Sequence, residues 1–587
     1  MIKGSIYHRP ESEYAYLYDA NTAHLRIRTE KNDIESIFLL AGDPYNFGTK
    51  RWESNEIPLT HLFSTDCHDY WFISLTPEHR RLQYGFHLID KSGEEIFYGD
   101  KGTYPYREEF LKSANLYFKI PYFHEVDRFK IPDWIGDTVW YQIFPERFCN
   151  GDTANDPKNA LPWNSKFPEW DDFFGGDIAG ILSKLDYLKE LGINGIYLCP
   201  IFTSPSNHKY DTLDYYEIDP HFGDKNLFRQ FVELAHEKGF KIMLDAVFNH
   251  MGDTSPQWQD VLENGENSKF ADWFHIQKFP VSYDQTENFE YAENITYDTF
   301  AFTPHMPKLN TANKEVQSYL LDIAKYWVKE FDIDAWRLDV ANEVDHQFWK
   351  LFHKEICDLK DNFYILGEVW NSAQPWLQGD EFHGSMNYAY TEIMTQYFAE
   401  KVISAEKMIF SLNEQMSMHR KQTNSSMMNM LDSHDTPRIL TVCEGNQELM
   451  QKMLVFMFLQ SGSPCIYYGT EIAMEGGPDP DCRRCMDWEV DFSANDSFKM
   501  VQKLIHIRKE YSELLSKGDV RFTLLENDLI QVERSLDEDK IIAFFNQSAK
   551  EIPTRSFGIE TLIFSDQKSN QQNLSGFGWI LGRATNR

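Results

Sequence analysis

The stretch IDAWRLDVA (333–341) fixes the architecture of this chain. It is an apolar, strand-like run in which Arg337 and Asp339, two residues apart, project to the same side. A strand that is apolar along its length and polar at its end is what a parallel barrel requires. There the scaffold is buried and the strand ends hold chemistry at the mouth. Seven further runs have the same form: TVWYQIF (138–144), INGIYLC (193–199), FKIMLDAVF (240–248), FYILGEVW (363–370), GSMNYAY (384–390), MMNMLDS (427–433) and PCIYYG (464–469). Amphipathic segments separate most of them. In NLFRQFVELAHEKG (226–239), Leu227, Phe228, Phe231 and Leu234 share one helical face and Gly239 can end the helix. Eight strands alternating with helices predict an α/β fold, a closed (β/α)8 TIM barrel rather than an open doubly wound sheet.

The flanks read differently. Residues 1–123 alternate apolar and polar over short runs, such as HLRIR around Leu25 and Ile27, and LQYGFHL with Leu82, Tyr84, Phe86 and Leu88. Turn clusters such as DKSGEE (90–95) divide them, so an N-terminal β-sandwich is expected before a barrel spanning 124–514. Within that barrel, the third strand-to-helix connection, 251–311, is too long for an ordinary loop and is expected to form a small excursion over the mouth. Residues 515–587, with VRFTLL, LIQVER and IIAFFNQ separated by END and DEDK, predict a C-terminal β-sandwich.

Bulk composition narrows the class. At 587 residues the chain exceeds one core, and a formal charge of −34 repels phosphate backbones, which argues against a nucleic-acid partner. Neutral substrates are not disfavoured, and 15 Trp and 30 Tyr suit packing against sugar faces as well as cores. The N-terminal MIKGSIYHRPESEY lacks a secretory pattern, and no run of about 18 apolar residues points to a membrane, so a cytoplasmic location is expected. Eight scattered cysteines make no disulfide framework, and Cys482 and Cys485 form a single CxxC without the second pair that a zinc site needs.

Three carboxylates stand at strand ends: Asp339, Glu368 in YILGEVW and Asp435 in MLDSHDTPR. Acids converging at one end of a barrel can cleave a glycosidic bond, one attacking carbon while another protonates the leaving oxygen. Arg337 beside Asp339 is expected to keep that carboxylate ionised, as a nucleophile requires, although the two could also form a plain barrel ion pair. Glu368, flanked by Ile365, Leu366, Val369 and Trp370, is expected to sit in apolar surroundings that favour its protonated form. Asp435 could bind sugar hydroxyls or cap the next helix. In LDAVFNH (244–250), Asn249 and His250 offer hydroxyl partners, whereas Asp245 is expected to tie strand ends together.

The four segments LDAVFNH, WRLDVANEVD, LGEVW and LDSHDTPR, in this order and at these barrel positions, resemble the α-amylase superfamily, glycoside hydrolase family 13. MPKLN (306–310) and Glu343-Val344 make the chain similar to the neopullulanase, cyclomaltodextrinase and maltogenic amylase group, whose N-terminal sandwich is a starch-binding-type module. The resemblance implies Asp339 as nucleophile, Glu368 as acid/base and Asp435 as transition-state stabiliser, with Arg337, His250 and His434 around the reacting sugar. Tyr210 in SNHKYDTLDY matches a tyrosine that stacks under that sugar, GGPDPDCRR places Asp479 and Arg483 at the next glucose, and Glu343 falls on the leaving-group side. RFCNGDTANDP and FFGGD resemble the group's calcium loop, implicating Asn150, Asp152, Asn155, Asp156, Asp177 and the carbonyl of Gly175, although the same residues would also make a plain polar turn. The implied activity is retaining hydrolysis of α-1,4 and α-1,6 bonds in cyclodextrins, pullulan and maltooligosaccharides, with transglycosylation, by a homodimer paired through the N-terminal domain. An α-glucosidase or glucosyltransferase, and a non-catalytic glucan-binding barrel, are the competing readings. Ala335 and Pro478 depart from the group's usual residues.

Overall fold

The computed structural model describes residues 1–46 and 52–584. Residues 47–51 and 585–587, within the expected N- and C-terminal regions, lie outside the described residues.

Eight parallel strands form the centre: β1 (Trp140–Ile143), β2 (Gly195–Leu198), β3 (Lys241–Ala246), β4 (Ala335–Leu338), β5 (Tyr364–Gly367), β6 (Gly384–Ser385), β7 (Met428–Asn429) and β8 (Ser463–Tyr467). They pair in the order β6-β5-β4-β3-β2-β1-β8-β7, and a parallel bridge from Met386 to Met428 closes the ring. Alternation along each strand builds two layers. Trp140, Tyr197, Met243, Ala335, Tyr364, Leu366, Met428 and Cys465 cluster in the barrel interior. Tyr141, Ile196, Leu244, Trp336, Ile365 and Ile466 instead join the outer core against the helices. Ala335, where the group favours glycine, is fully buried in the interior cluster.

The same alternation lifts polar residues to the mouth. Asp245 lies two residues beyond Met243, Arg337 two beyond Ala335 and Glu368 two beyond Leu366. Short polar side chains start the helices that return outside the barrel. Asp224, Asn313 and Asp345 accept N–H bonds at the starts of Lys225–Glu237, Lys314–Phe331 and His346–Leu359. On the first of these the buried face is Phe228, Phe231, Val232 and Ala235, with Leu227 and Leu234 at its margins rather than in it.

One element differs from expectation. GSMNYAY is strand only at Gly384–Ser385, because Asn387 caps a helix over Tyr388–Met394 by accepting the Tyr390 N–H. An Asn that can satisfy a helix start overrides an aromatic run that favours strand.

The N-terminal region folds as a four-stranded and a six-stranded antiparallel sheet packed face to face. Leu25, Ile27, Leu82, Tyr84, Phe86 and Leu88 fill the space between the sheets, as their alternation predicts. Its Arg26 donates to the Ser417 carbonyl at 2.7 Å, at the end of barrel helix Ala405–Ser417. The C-terminal region carries a five-stranded antiparallel sheet and a two-stranded one over a separate core. Asn527 and Asp528, both left-handed at φ 62° and 54°, turn its first hairpin. The connection from 251 to 311 contains a helix, Pro256–Asn264, and a small hairpin of Asp284–Gln285 with Ala292–Glu293.

Candidate active site

Arg337 is the hub of the barrel mouth. Fully buried, its Nη1 donates to Asp245 at 2.8 Å and to Asp339 at 2.7 Å, while Nη2 lies 2.8 Å from Glu368 Oε2 in an ion pair too far off line to count as a hydrogen bond. One guanidinium therefore brings the ends of β3, β4 and β5 together. Two hydroxyls reinforce the β3 end, since Tyr197 and Tyr210 donate to Asp245 Oδ2 at 2.8 and 3.0 Å. Asp245 is thus a tie between strands.

A hydrogen-bonded chain runs from this hub to Asp435. Gln142 donates to His434 Nδ1 at 2.7 Å, which leaves the ring proton on Nε2. His434 Nε2 lies 2.5 Å from the Tyr210 hydroxyl and 3.2 Å from Asp435, and the Tyr210 and His434 rings are parallel within 7°. Burial and two nearby arginines hold His434 well below the usual histidine range, so it is neutral. His250, pushed down to about 3 by burial, is neutral as well, and its Nε2 meets the Tyr210 carbonyl at 3.2 Å. Arg483 bridges Asp435 at 3.2 Å and Asp479 at 3.0 Å. Asp435 caps no helix, because the first N–H of the helix that follows, Ile439, goes to Asp432.

Two electrostatic expectations need correction. Asp339 is pushed above the usual carboxylate range, because burial outweighs Arg337, and the Glu368 and Asp245 charges push it further in the same direction. One guanidinium faces three carboxylates, so the charges on the other two oppose ionisation of Asp339. Glu368 does not sit among apolar side chains. Alternation turns Ile365 and Val369 to the outer core, leaves Leu366 a tier below, and gives the carboxylate an N–H from Val340 at 2.9 Å and the Trp370 indole N–H at 3.1 Å. Trp370 is half exposed and stacks on Tyr388 at 3.8 Å.

On the other side of the mouth, Asn249 and Glu343 do not touch the hub. Lys308 of MPKLN joins them, bonding the Asn249 side-chain oxygen and lying 3.2 Å from Glu343 Oε2. Sequence reading passed over Lys308, Gln142 and Tyr197. An inward register in β1 and β2 was the available signal for the last two.

The loop after β1 is a separate assembly. Asp177 receives N–H donors from Gly151, Asp152, Gly180 and the Asn155 amide at 2.6 to 3.1 Å, which clips the loop to the start of helix Ile178–Ser183. Asn150 donates to Asp156 at 2.8 Å, and Gly175, left-handed at φ 81°, brings its backbone against both. The side-chain oxygens of Asn150 and Asn155 are buried without a partner. Oxygen acceptors beside two carboxylates that pair with no cation among the described residues fit a hard ion such as calcium.

Among the described residues one further group, His353, Cys357 and His383, brings ligand-type atoms within 4.8 Å of one another. His383 Nδ1 accepts the Ile365 N–H at 3.0 Å, so its proton sits on Nε2 and the ring has no free lone pair for a metal. Cys482, in the CxxC, is fully buried and donates to the His434 carbonyl at 3.2 Å.

Comparison with known proteins agrees with this geometry. The α-amylase catalytic domain family matches residues 142–521, and the α-amylase N-terminal Ig-like domain family matches residues 1–124. The intracellular maltogenic amylase of Bacillus subtilis (strain 168) is 54% identical over 549 residues, covering 93% of this chain and 91% of its own. A cyclomaltodextrinase of Geobacillus thermopakistaniensis (strain MAS1) is 47% identical over 557 residues, covering 94% and 93%. A solved cyclomaltodextrinase structure superposes with a TM-score of 0.89 at 40% identity, covering 99% of this chain and 100% of that one. Fold, mouth and relatives agree: the chain belongs to the α-amylase family of glycoside hydrolases, in the group of maltogenic amylases, cyclomaltodextrinases and neopullulanases.

Proposed function

We propose that the protein is a retaining α-glucan hydrolase acting on cyclodextrins, pullulan and maltooligosaccharides at α-1,4 and α-1,6 bonds. The observation that carries the reading is Arg337 holding Asp339 and Glu368 on one guanidinium. Retention needs carboxyls about 5–5.5 Å apart, and acids that share one guanidinium suit that close arrangement. In this reading Glu368 carries the proton that is donated. As the glycosidic C–O bond breaks, the leaving oxygen takes this proton and Asp339, now ionised, bonds the anomeric carbon. Water then replaces Asp339 on that carbon and returns a proton to Glu368. A sugar hydroxyl in place of that water gives transglycosylation.

The remaining residues bind and orient. Asp435, His434 and His250 present hydrogen-bonding atoms to the reacting sugar, and Tyr210 offers a ring for its face. Asp479 and Arg483 hold the next glucose, and Asn249 and Glu343, joined by Lys308, line the leaving-group side. A structural calcium would be held by Asn150, Asp152, Asn155, Asp156, the Gly175 carbonyl and Asp177. Its role is to fix the loop after β1, and the two partnerless Asn oxygens support it. We further infer a cytoplasmic homodimer paired through the N-terminal region. The relative named as intracellular supports the location, and no described helix is long and apolar enough to cross a membrane.

Maltose release from β-cyclodextrin tests the reading. Wild type should release it, and Glu368→Gln should lose about 10²- to 10⁴-fold in rate. Equal rates would remove Glu368 from the mechanism.

A further inference from the structure

The residue after the nucleophile has an unusual backbone. Val340 is left-handed, at φ 45° and ψ 41°, and it is the β-branched residue among the described non-glycine positions with positive φ. Valine at such angles is a strained outlier, and strain of this kind persists where the surrounding structure imposes it. Its consequence can be read from the strand ladder. β4 and β5 pair Leu338 with Gly367, and the Glu368 N–H donates to the Leu338 carbonyl at 3.0 Å. Continued by one step, that parallel ladder would send the Val340 N–H to the Glu368 main-chain carbonyl. The left-handed turn diverts it to the Glu368 side chain, at 2.9 Å from Oε2.

The two oxygens of Glu368 are therefore unequal. Oε2 faces the Val340 N–H and the charged Arg337, whereas Oε1 meets only the indole N–H of half-exposed Trp370 at 3.1 Å. We propose that Val340 is a positioning residue whose strained turn anchors Glu368 Oε2 as the oxygen that stays unprotonated, so that Oε1 alone gives and takes the catalytic proton. In the first step the Oε1–H bond breaks and the glycosidic oxygen gains that proton as its bond to the anomeric carbon breaks and Asp339 bonds that carbon. In the second, water bonds the carbon, the Asp339 bond breaks and Oε1 recovers a proton. The working part of Val340 is its N–H, not its isopropyl group. The proposal rests on Glu368 being the acid/base.

The test uses the full-length enzyme with Val340 replaced by its α-hydroxy acid, which exchanges the amide N–H for an ester oxygen and keeps the side chain. An N–H donor favours the carboxylate, so its loss should make Glu368 easier to protonate. The alkaline limb of kcat/KM for β-cyclodextrin should move up by about half to one pH unit, with kcat falling about tenfold. Val340→Gly, at ease in the left-handed region and retaining the N–H, should leave the limb in place. An unmoved limb in the ester enzyme, or an equal shift in Val340→Gly, overturns the proposal. Should the ester enzyme not fold, neutron diffraction of the wild type decides: a deuteron on Oε1 supports the assignment, and one on Oε2 ends it. α-Maltosyl fluoride, whose leaving group needs no proton, isolates the underlying reading. If Glu368→Gln loses β-cyclodextrin turnover but keeps the initial burst of fluoride release that accompanies formation of the intermediate, Glu368 is the acid. If it keeps both, that reading falls whatever Val340 does.

Discussion

Around Arg337 three carboxylates converge on one guanidinium, and burial pushes Asp339 above the usual carboxylate range. In the loop after β1, by contrast, Asp177 is satisfied by N–H groups alone, and two Asn oxygens lie buried with nothing to bond. Both regions are acidic and follow barrel strands, yet one carries its own cation and, among the described residues, none pairs with the acids of the other. Acids that share a protein cation in a buried site can divide nucleophilic attack and proton donation between them, which suits covalent catalysis. Acids and amide oxygens held apart by backbone, without such a cation, suit an external one. The difference separates chemistry from scaffolding.

The largest effect that could break this comparison is at the proposed nucleophile. Asp339→Asn should cut kcat on β-cyclodextrin by about 10⁴-fold or more while calcium binding stays unchanged, as followed by isothermal titration. Next in size is Arg337→Met. Removing the shared cation leaves buried carboxylates unanswered, so denaturant unfolding should show a loss of about 3–5 kcal/mol. No loss of stability would mean that the cluster is not held as described. Chelation should act on the other region alone. If calcium binds and is present at about 100 times its Kd, its removal should cost about 2.7 kcal/mol and lower Tm, and Asp156→Asn should abolish the response. An unchanged Tm after chelation argues against a structural ion.

The smallest effect sharpens the contrast within the mouth. Burial raises Asp479 to about 6 from its ordinary value of 3.8 despite Arg483, so between these values the folded protein binds more protons than the unfolded chain. Stability from this group is therefore full below about pH 4 and is lost as pH rises to about 6. Asp479→Asn should flatten the stability profile over that window by about 2 kcal/mol, once partial exposure is discounted. A profile as steep as that of the wild type would place the proton elsewhere.

Much of this was legible in the sequence because two-residue alternation is simple to read. Met243 to Asp245, Ala335 to Arg337 and Leu366 to Glu368 each step from interior to mouth. Side-chain chemistry at strand ends was less legible, because it depends on neighbours that are distant in the chain. Ile365 and Val369 made Glu368 look apolar in one dimension, yet in the fold they face the helices and Glu368 faces Val340, Arg337 and Trp370. The link from Asn249 to Glu343 runs through Lys308, which reaches back from the end of the long connection. Strand 6 ends at Ser385 although an aromatic run follows it, because Asn387 caps a helix there. The left-handed turn at Val340 had no signal at all, since valine is among the residues least suited to it.

Trapping the covalent intermediate tests the central claim most directly. The enzyme is incubated with a fluorinated α-maltosyl fluoride that forms the intermediate faster than water releases it, then digested and mapped by mass spectrometry. The account predicts one maltosyl adduct, on the peptide bearing Asp339. Turnover without an adduct, or an adduct on any other carboxylate, would contradict it.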